Sequence, residues 1–543
     1  MDLILYNGKI KTEDSFVSAI GCRNGQIAAL GTDQEVLAHK TAASKLVDLQ
    51  GKLVLPGFND SHMHFLDNGY SFHKLNLRDA ASIEDVISMG KDYLSQHQIA
   101  EGGWLEAYNW NDFHWTEKRL PTRHDLDLIS EDIPIVASRV CGHIVIVNSK
   151  ALELVGINRN TPQPADGSRF DLDENGDPNG VLHELFYRVT AVIPKPSVDE
   201  IKEMLLLAAA EASRKGLTSV QTDDLEVIPT HDTADIIQAY MELTAEHRLP
   251  LRVTEQCYMP DMTKLSRFFD RGFSANYGNN YFKLGCIKLI ADGSLGGRTA
   301  WLLDDYSDEP GQKGLQIYKD EKEFFDLVET AHIHHMPVAV HCIGDAAAKQ
   351  AVDAIENAMK KHPDIKVRHG IVHAQILNDD LCRRMRELDI LAYIQPVFIQ
   401  SDMDMAEDRI GERIRISYNW RTLADLGVRQ SMGTDSPVED MDPIANIYSA
   451  VTRKSISHPE NPAWHEEESL TLDEAIDFYT RASAYASSDE KEKGILKQGF
   501  FADMTVLDKD LYEIPAEEIK TAKVVMTIVG GEITYADTTE TGE

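Results

Sequence analysis

The stretch Leu55-Pro56-Gly57-Phe58-Asn59-Asp60-Ser61-His62-Met63-His64 marks a change of architecture in this 543-residue chain. An apolar run ends at Pro56-Gly57, and two histidines follow, two residues apart. On a strand, side chains at i and i+2 point to the same face. His62 and His64 then aim two imidazoles at one point, as a bound transition metal needs. The chain before this stretch reads as short strands with glycine turns. The chain after it alternates strands with helices.

Upstream, Leu3–Leu5 precedes Asn7-Gly8, Val17–Cys22 precedes Asn24-Gly25, Gln26–Leu30 precedes Gly31, and Lys45–Leu49 precedes Gly51. Asn-Gly between apolar runs is a strong hairpin signal. The far end repeats this texture in Ala502–Leu507, Lys523–Val529 and Glu532–Tyr535. Neither end is large enough to close a core alone. Residues 1–56 and 490–543 are therefore expected to form one composite β-sandwich, with the middle of the chain inserted between them.

In that middle, strand candidates are Leu217–Gln221, Leu251–Gln256, Gly285–Ile290, Pro337–His341, Val367–His373, Ile390–Gln395 and Val428–Gly433. Ser197 with Glu200, and Thr471 with Glu474, read as capping boxes that start helices. The first of these helices stops at Lys215-Gly216. Alternating strands and helices imply a parallel sheet. With Phe58–His64 the strands number eight, which suggests a closed, TIM-like (β/α)8 barrel over residues 57–489. The fold class is thus α/β, a barrel with a small β-sandwich from both termini and an insertion after barrel strand 1.

The insertion, about residues 70–215, is expected over the barrel mouth, lining the pocket. It holds a helix at 82–97, the segment Ile133–Gly156 and a Gly/Pro/Asp-rich run, Thr161 to Gly180, that reads as a loop. Its aromatic run, Trp104, Tyr108, Trp110, Phe113 and Trp115, fits either an apolar substrate moiety or packing of the insertion itself.

Hydrophobic content of 43% and charged content of 26% are those of a soluble globular protein. The net charge of −35 argues against nucleic acid or an anionic membrane as partner, since both are polyanions. The cysteines Cys22, Cys141, Cys257, Cys286, Cys342 and Cys382 are scattered and read as reduced, mostly buried thiols. Without a signal peptide or a run of about 18 apolar residues, the cytoplasm is the default compartment.

Active sites of (β/α)8 barrels lie at the C-terminal ends of the strands. His62, His64, Lys288, His341, His373 and Asp435 fall there. Each alone has an ordinary reading: a hydrogen-bonded histidine, a lysine that snorkels to water, a turn aspartate. Together they offer the imidazole and carboxylate ligands that suit zinc and similar ions.

The motifs Pro56-Gly57-Phe58-Asn59-Asp60-Ser61-His62-Met63-His64, Asp292-Gly293-Ser294-Leu295-Gly296, His341-Cys342-Ile343-Gly344-Asp345, His373-Ala374-Gln375 and Gly433-Thr434-Asp435-Ser436-Pro437-Val438 resemble the amidohydrolase superfamily. The resemblance is closest to the branch with N-substituted formamide deformylases. It implies that His62 and His64 hold a more buried metal, that His341 and His373 hold a second, and that Asp435 touches the first and shuttles protons. It also implies that Lys288 is carboxylated and bridges the metals. Arg298 and His143 match positions near the substrate; their alternatives are a loop-anchoring salt bridge and packing within the insertion. Two points depart from the pattern or have no derived role. Val372 stands where many relatives have Glu. Glu184 fits a branch motif, and it could bridge the metals if Lys288 turned away.

The chemistry so implied is hydrolysis of a C–N bond, amide or N-formyl, by a water activated on one or two divalent ions, zinc first. The alternatives are an ester, carbamate or cyclic amide at the same site, or a non-catalytic scaffold that kept the fold. The partner is a small-molecule substrate; the oligomeric state is open.

Overall fold

The computed structural model describes residues 1–139, 143–164 and 168–537. Eight parallel strands form one sheet: β1 Phe58–Met63, β2 Leu217–Thr222, β3 Arg252–Tyr258, β4 Phe282–Ile290, β5 Val338–Cys342, β6 Gly370–His373, β7 Leu391–Ile394 and β8 Gln430–Met432. Each pairs with the next in sequence, as a barrel demands. Most of their residues are buried, so both faces are covered, the normal state of parallel strands. Helices follow the strands, among them Glu321–Ile333 after β4, Asp345–Lys361 after β5 and Pro443–Thr452 after β8.

Both expected capping boxes form. Ser197 and Glu200 exchange side-chain to backbone hydrogen bonds ahead of helix Val198–Arg214, and Thr471 and Glu474 do so ahead of Leu472–Tyr479. Gly216 stops the first of these helices with a φ of 83°.

Strands from the two ends of the chain share a six-stranded sheet, in the order Glu532–Ala536, Val524–Val529, Met504–Leu507, Leu53–Pro56, Lys9–Lys11, Phe16–Val17. A four-stranded sheet holds Gln26–Gly31, Ala19–Arg23, Leu3–Tyr6 and Lys45–Asp48. Leu5, Ile20 and Ile27 of the second sheet cluster with Val54, Met504, Val506 and Ile528 of the first. The Arg252 guanidinium at the start of β3 grips Asp503 of this module through two nitrogens, at 2.7 and 3.1 Å. Both side chains are buried, so this is a charge-assisted pair shielded from water.

Residues 66–204, with 228–235, form a separate compact unit. The insertion thus begins earlier than its sequence suggests, and Leu205–Arg214 belongs with the barrel. The unit has its own six-stranded sheet, in the order Arg169–Leu172, Pro178–His183, Ile144–Val147, Ile135–Arg139, Leu105–Trp110, Leu75–Asn76. Here the loop reading of Thr161–Gly180 is corrected. Arg169–Leu172 and Pro178–His183 pair antiparallel. The turn between them is itself Asp/Gly-rich: the Asp173 carboxylate accepts from the N–H groups of Asn175 and Asp177. Residues 165–167 of that run lie outside the described residues.

Trp104, Trp110 and Trp115 are buried in this unit, and the Trp110 and Trp115 indoles donate to Ala137 O and Ala80 O. For these three, packing is the correct reading. Cys22, Cys257, Cys286, Cys342 and Cys382 are free and buried; Cys141 lies outside the described residues. Among the described residues, no helix is long and apolar enough to cross a membrane.

Candidate metal centre

Six side chains predicted at strand ends converge on the barrel. His62 ends β1 but for one residue, and His64 follows it. Lys288 lies in β4, His341 in β5, His373 closes β6, and Asp435 follows β8 by three residues. His373, Ala374 and Asp435 have φ values of 71°, 49° and 58°, left-handed conformations that cost free energy for residues with side chains. Such strain persists where surrounding contacts fix it. Asp435 N–H donates to His62 O at 2.8 Å, one such contact.

Three of the four imidazoles are neutral and aimed by an oxygen behind them. His62 Nδ1–H donates to Gln256 Oε1 at 2.7 Å, and Gln256 Nε2 donates to Ser61 O, which fixes the amide's orientation. His373 Nδ1–H donates to Gln395 Oε1 at 2.9 Å, and that amide is fixed by its bond to Tyr393 O. His341 Nε2–H donates to Gly293 O at 3.2 Å, with Asp292 Oδ1 at 3.4 Å. Burial is the main reason these rings stay uncharged. It holds His62 and His341 well below their ordinary value, helped by Lys288 and His373 respectively, and His373 at about 4 against the opposing pull of Asp435.

The inner nitrogens are consequently lone pairs. His341 Nδ1 and His373 Nε2 face each other at 2.9 Å with no proton assigned to either by their outer partners. His62 Nε2 is met by Lys288 Nζ at 3.1 Å, and Lys288 Nζ also lies 3.3 Å from Asp223 Oδ2. Lys288 is 1% exposed, so it does not snorkel to water.

His64 is different. Burial would lower its pKa, but the Asp435 carboxylate outweighs this and raises it to about 9. Its Nδ1 faces Asp223 O at 3.1 Å and its Nε2 faces Asp435 Oδ1 at 3.2 Å. Burial opposes ionisation of Asp435 too, yet His64 and His62 hold its carboxyl far below the usual range. Asp435 Oδ1 is buried and makes no well-formed hydrogen bond; its contact with His64 is ionic, and the neutral His62 ring stands 3.4 Å away. Candidate ligand atoms of His62, His64 and Asp435 all lie within 4.8 Å of one another. Opposed lone pairs, an oxygen without a hydrogen bond and outer nitrogens held by oxygens are what a divalent cation's ligands require. The residues fit such an ion.

Arg298 and His143 are engaged elsewhere. The Arg298 guanidinium binds Asp308 at 2.8 Å and Glu309 at 3.2 Å. His143 Nδ1 lies 2.8 Å from Glu184 Oε1, within the inserted unit. Lys288 itself points into the cluster, so the condition under which Glu184 was expected to bridge does not arise. Sequence reasoning gave no role to Gln256, Asp223, Gln395 and Asp292, which orient the ligands. Their one signal was position: a polar residue at or just beyond a strand end.

A model of the amidohydrolase family matches residues 45–535. The chain belongs to that family. It is 32% identical to the Bacillus subtilis (strain 168) protein named "Putative amidohydrolase YtcJ", over 98% of this chain and 99% of that one. It is 27% identical to the N-substituted formamide deformylase of Arthrobacter pascens, over 99% of both chains. Among solved structures, an uncharacterized metal-dependent hydrolase from Pyrococcus furiosus superposes with a TM-score of 0.77 at 29% identity, covering 94% of this chain and 99% of that one.

Proposed function

We propose that this protein hydrolyses the C–N bond of an amide or N-formyl amine, using one or two divalent ions, zinc first. His62, His64 and Asp435 would hold one ion and His341 and His373 a second, with Lys288, as a carbamate, offering oxygen ligands to both. The observation that carries this reading is the approach of His341 Nδ1 and His373 Nε2 to 2.9 Å, with the outer nitrogen of each ring facing an oxygen. Imidazole and carboxylate ligands favour zinc. Family membership, the metal-dependent hydrolase from Pyrococcus furiosus and the deformylase relative support the reaction class.

When bound, such an ion lowers the pKa of a water from 15.7 toward about 7. Asp435 is ionised, so it can take the proton of the attacking water and deliver it to the leaving nitrogen. Gln256, Gln395, Gly293 O and Asp223 O keep the imidazoles from turning as charge moves. The site of action is the cytoplasm, in keeping with five free, buried thiols.

The test is a panel of N-formyl and N-acyl amines, with matched esters, given to zinc-loaded protein while released amine is measured. Turnover of an amide or formamide that a chelator abolishes and zinc restores is the expected result. Turnover of esters alone would overturn the bond class, and turnover unaffected by chelation would overturn the metal.

A further inference from the structure

The barrel ladder does not run all the way round. β8 pairs with β7 and β1 with β2, but among the described residues no strand pairing joins β8 to β1. The chain after β8 crosses the seam instead. Asp435 N–H donates to His62 O, and His64 N–H donates to Ser436 O, both at 2.8 Å. Gly433 makes this approach possible: a Cβ there would stand 2.6 Å from His62 N and 2.8 Å from Asp60 Oδ1.

Asp60 lies under this crossing, fully buried. Its carboxylate accepts from Thr434 N–H at 3.0 Å and from the Thr434 hydroxyl at 2.8 Å, both on the β8 side. It accepts from the Tyr479 hydroxyl at 2.8 Å, at the end of helix Leu472–Tyr479, and from His62 N–H at 3.1 Å on its own strand. Among the described residues, no cation pairs with it. One carboxylate thus grips the backbone of His62 and the residue next to Asp435.

We propose that Asp60 is a positioning residue for the metal centre: it binds no ion, and it sets the spacing of His62 from Asp435 across the open seam. The inference rests on the reading of His62 and Asp435 as ligands. Among the described residues, no strand ladder fixes Asp435 against His62, so their spacing depends on the crossing bonds and on the carboxylate beneath them, and a ligand that drifts loses affinity for the ion. Partners that orient ligands are commonly worth roughly 10- to 100-fold in metal affinity.

Four variants of the full chain test this: Asp60→Asn, Tyr479→Phe, Thr434→Val and Thr434→Ser. The readouts are zinc affinity by chelator competition, the visible spectrum of the Co²⁺-substituted protein, and the melting temperature of metal-stripped protein. Asp60→Asn should weaken zinc binding by roughly 10- to 100-fold and change the Co²⁺ spectrum. Tyr479→Phe and Thr434→Val should weaken it by a smaller factor, and Thr434→Ser, which keeps the hydroxyl, should bind as wild type. A clasp that serves only the fold would lower the melting temperature of stripped Asp60→Asn, Tyr479→Phe and Thr434→Val and leave zinc affinity and spectrum unchanged; that result overturns the inference alone. If Asp60→Asn does not fold, wild-type affinity in both Tyr479→Phe and Thr434→Val overturns it equally. A wild-type protein that takes up no zinc overturns the metal reading, and this inference with it.

Discussion

Lys288→Met is the sharpest single perturbation of the centre. Lys288 Nζ lies 3.3 Å from Asp223 Oδ2 and 3.1 Å from His62 Nε2, with the side chain almost wholly buried. As an ammonium group it attracts Asp223 by about 5 kcal/mol at an effective dielectric constant of ~20. It also occupies the lone pair that His62 would offer an ion. Methionine nearly keeps the volume and removes the charge. In metal-stripped protein this leaves Asp223 buried without its partner, a change that costs about 3–5 kcal/mol. In loaded protein the consequence is different. On the carbamate reading, the Lys288 ammonium group would lose one proton and the resulting amine would add CO₂ with loss of a second, so a cation would become an anion with two oxygens. That conversion would free His62 Nε2 and give the two halves of the centre a common ligand. Lys288→Met should therefore fall from about two equivalents of metal to about one. Turnover should fall at least ~10²-fold, the scale of a misplaced reacting group. Lys288→Ala, which leaves room beside Asp223, should recover part of both with a short carboxylic acid in the buffer. Elemental analysis, denaturant unfolding of stripped protein and rate measurements read the three effects. A full metal load with unimpaired turnover in Lys288→Met would refute the carbamate.

Three other outcomes follow from the geometry. Asp435→Asn should keep most of its metal, because His62 and His64 remain, and lose at least ~10² in rate; near-normal turnover would make Asp435 a turn residue. Gly433→Ala should push the turn off His62 N, 2.6 Å from the new Cβ, and cost about 1–3 kcal/mol in unfolding experiments; wild-type stability would show that the seam has slack. His369 is buried and its pKa pushed down to about 3, by burial first and then by His332. The unfolded chain takes up a proton near pH 6.5 that the native chain refuses. The contribution to stability is thus full above about pH 6.5 and falls as pH drops toward 3, by up to ~1.4 kcal/mol per unit. Denaturant midpoints from pH 7 to 4 should fall less steeply in His369→Gln; equal slopes would place the acid sensitivity elsewhere.

All eight barrel strands and the two capping boxes were legible because they rest on local patterns. An apolar run of four to eight residues, or Ser/Thr three residues before Glu, carries its own physical cause. The sheet of the inserted unit was harder to read. Ile135–Arg139 and Ile144–Val147 sit in a segment rich in strand formers, but Arg169–Leu172 is short and flanked by Gly, Asp and Pro. Its turn residues outweighed its strand residues in any composition-based reading. The strand exists because Phe170 is buried and Gln163 binds its backbone, contacts made by the fold rather than by the local sequence.

For the site, the sequence picked out the candidate ligands but not what aims them. A histidine at a strand end has a known Cα position, and its ring can still present either nitrogen. In this chain that choice is made by Gln256 on β3 for His62, by Gln395 beyond β7 for His373, and by the Gly293 carbonyl for His341. Each partner lies on a different strand or connection from the ring it holds, 194, 22 and 48 residues away in sequence. No spacing rule reaches that far. The aiming residues are glutamines and a backbone carbonyl, groups that a sequence offers everywhere, and they acquire meaning only once the barrel sets neighbouring strands side by side. Asp60 follows the same logic at the seam. It looks like any strand-end aspartate until β8 arrives beside β1 with two donors for it to bind.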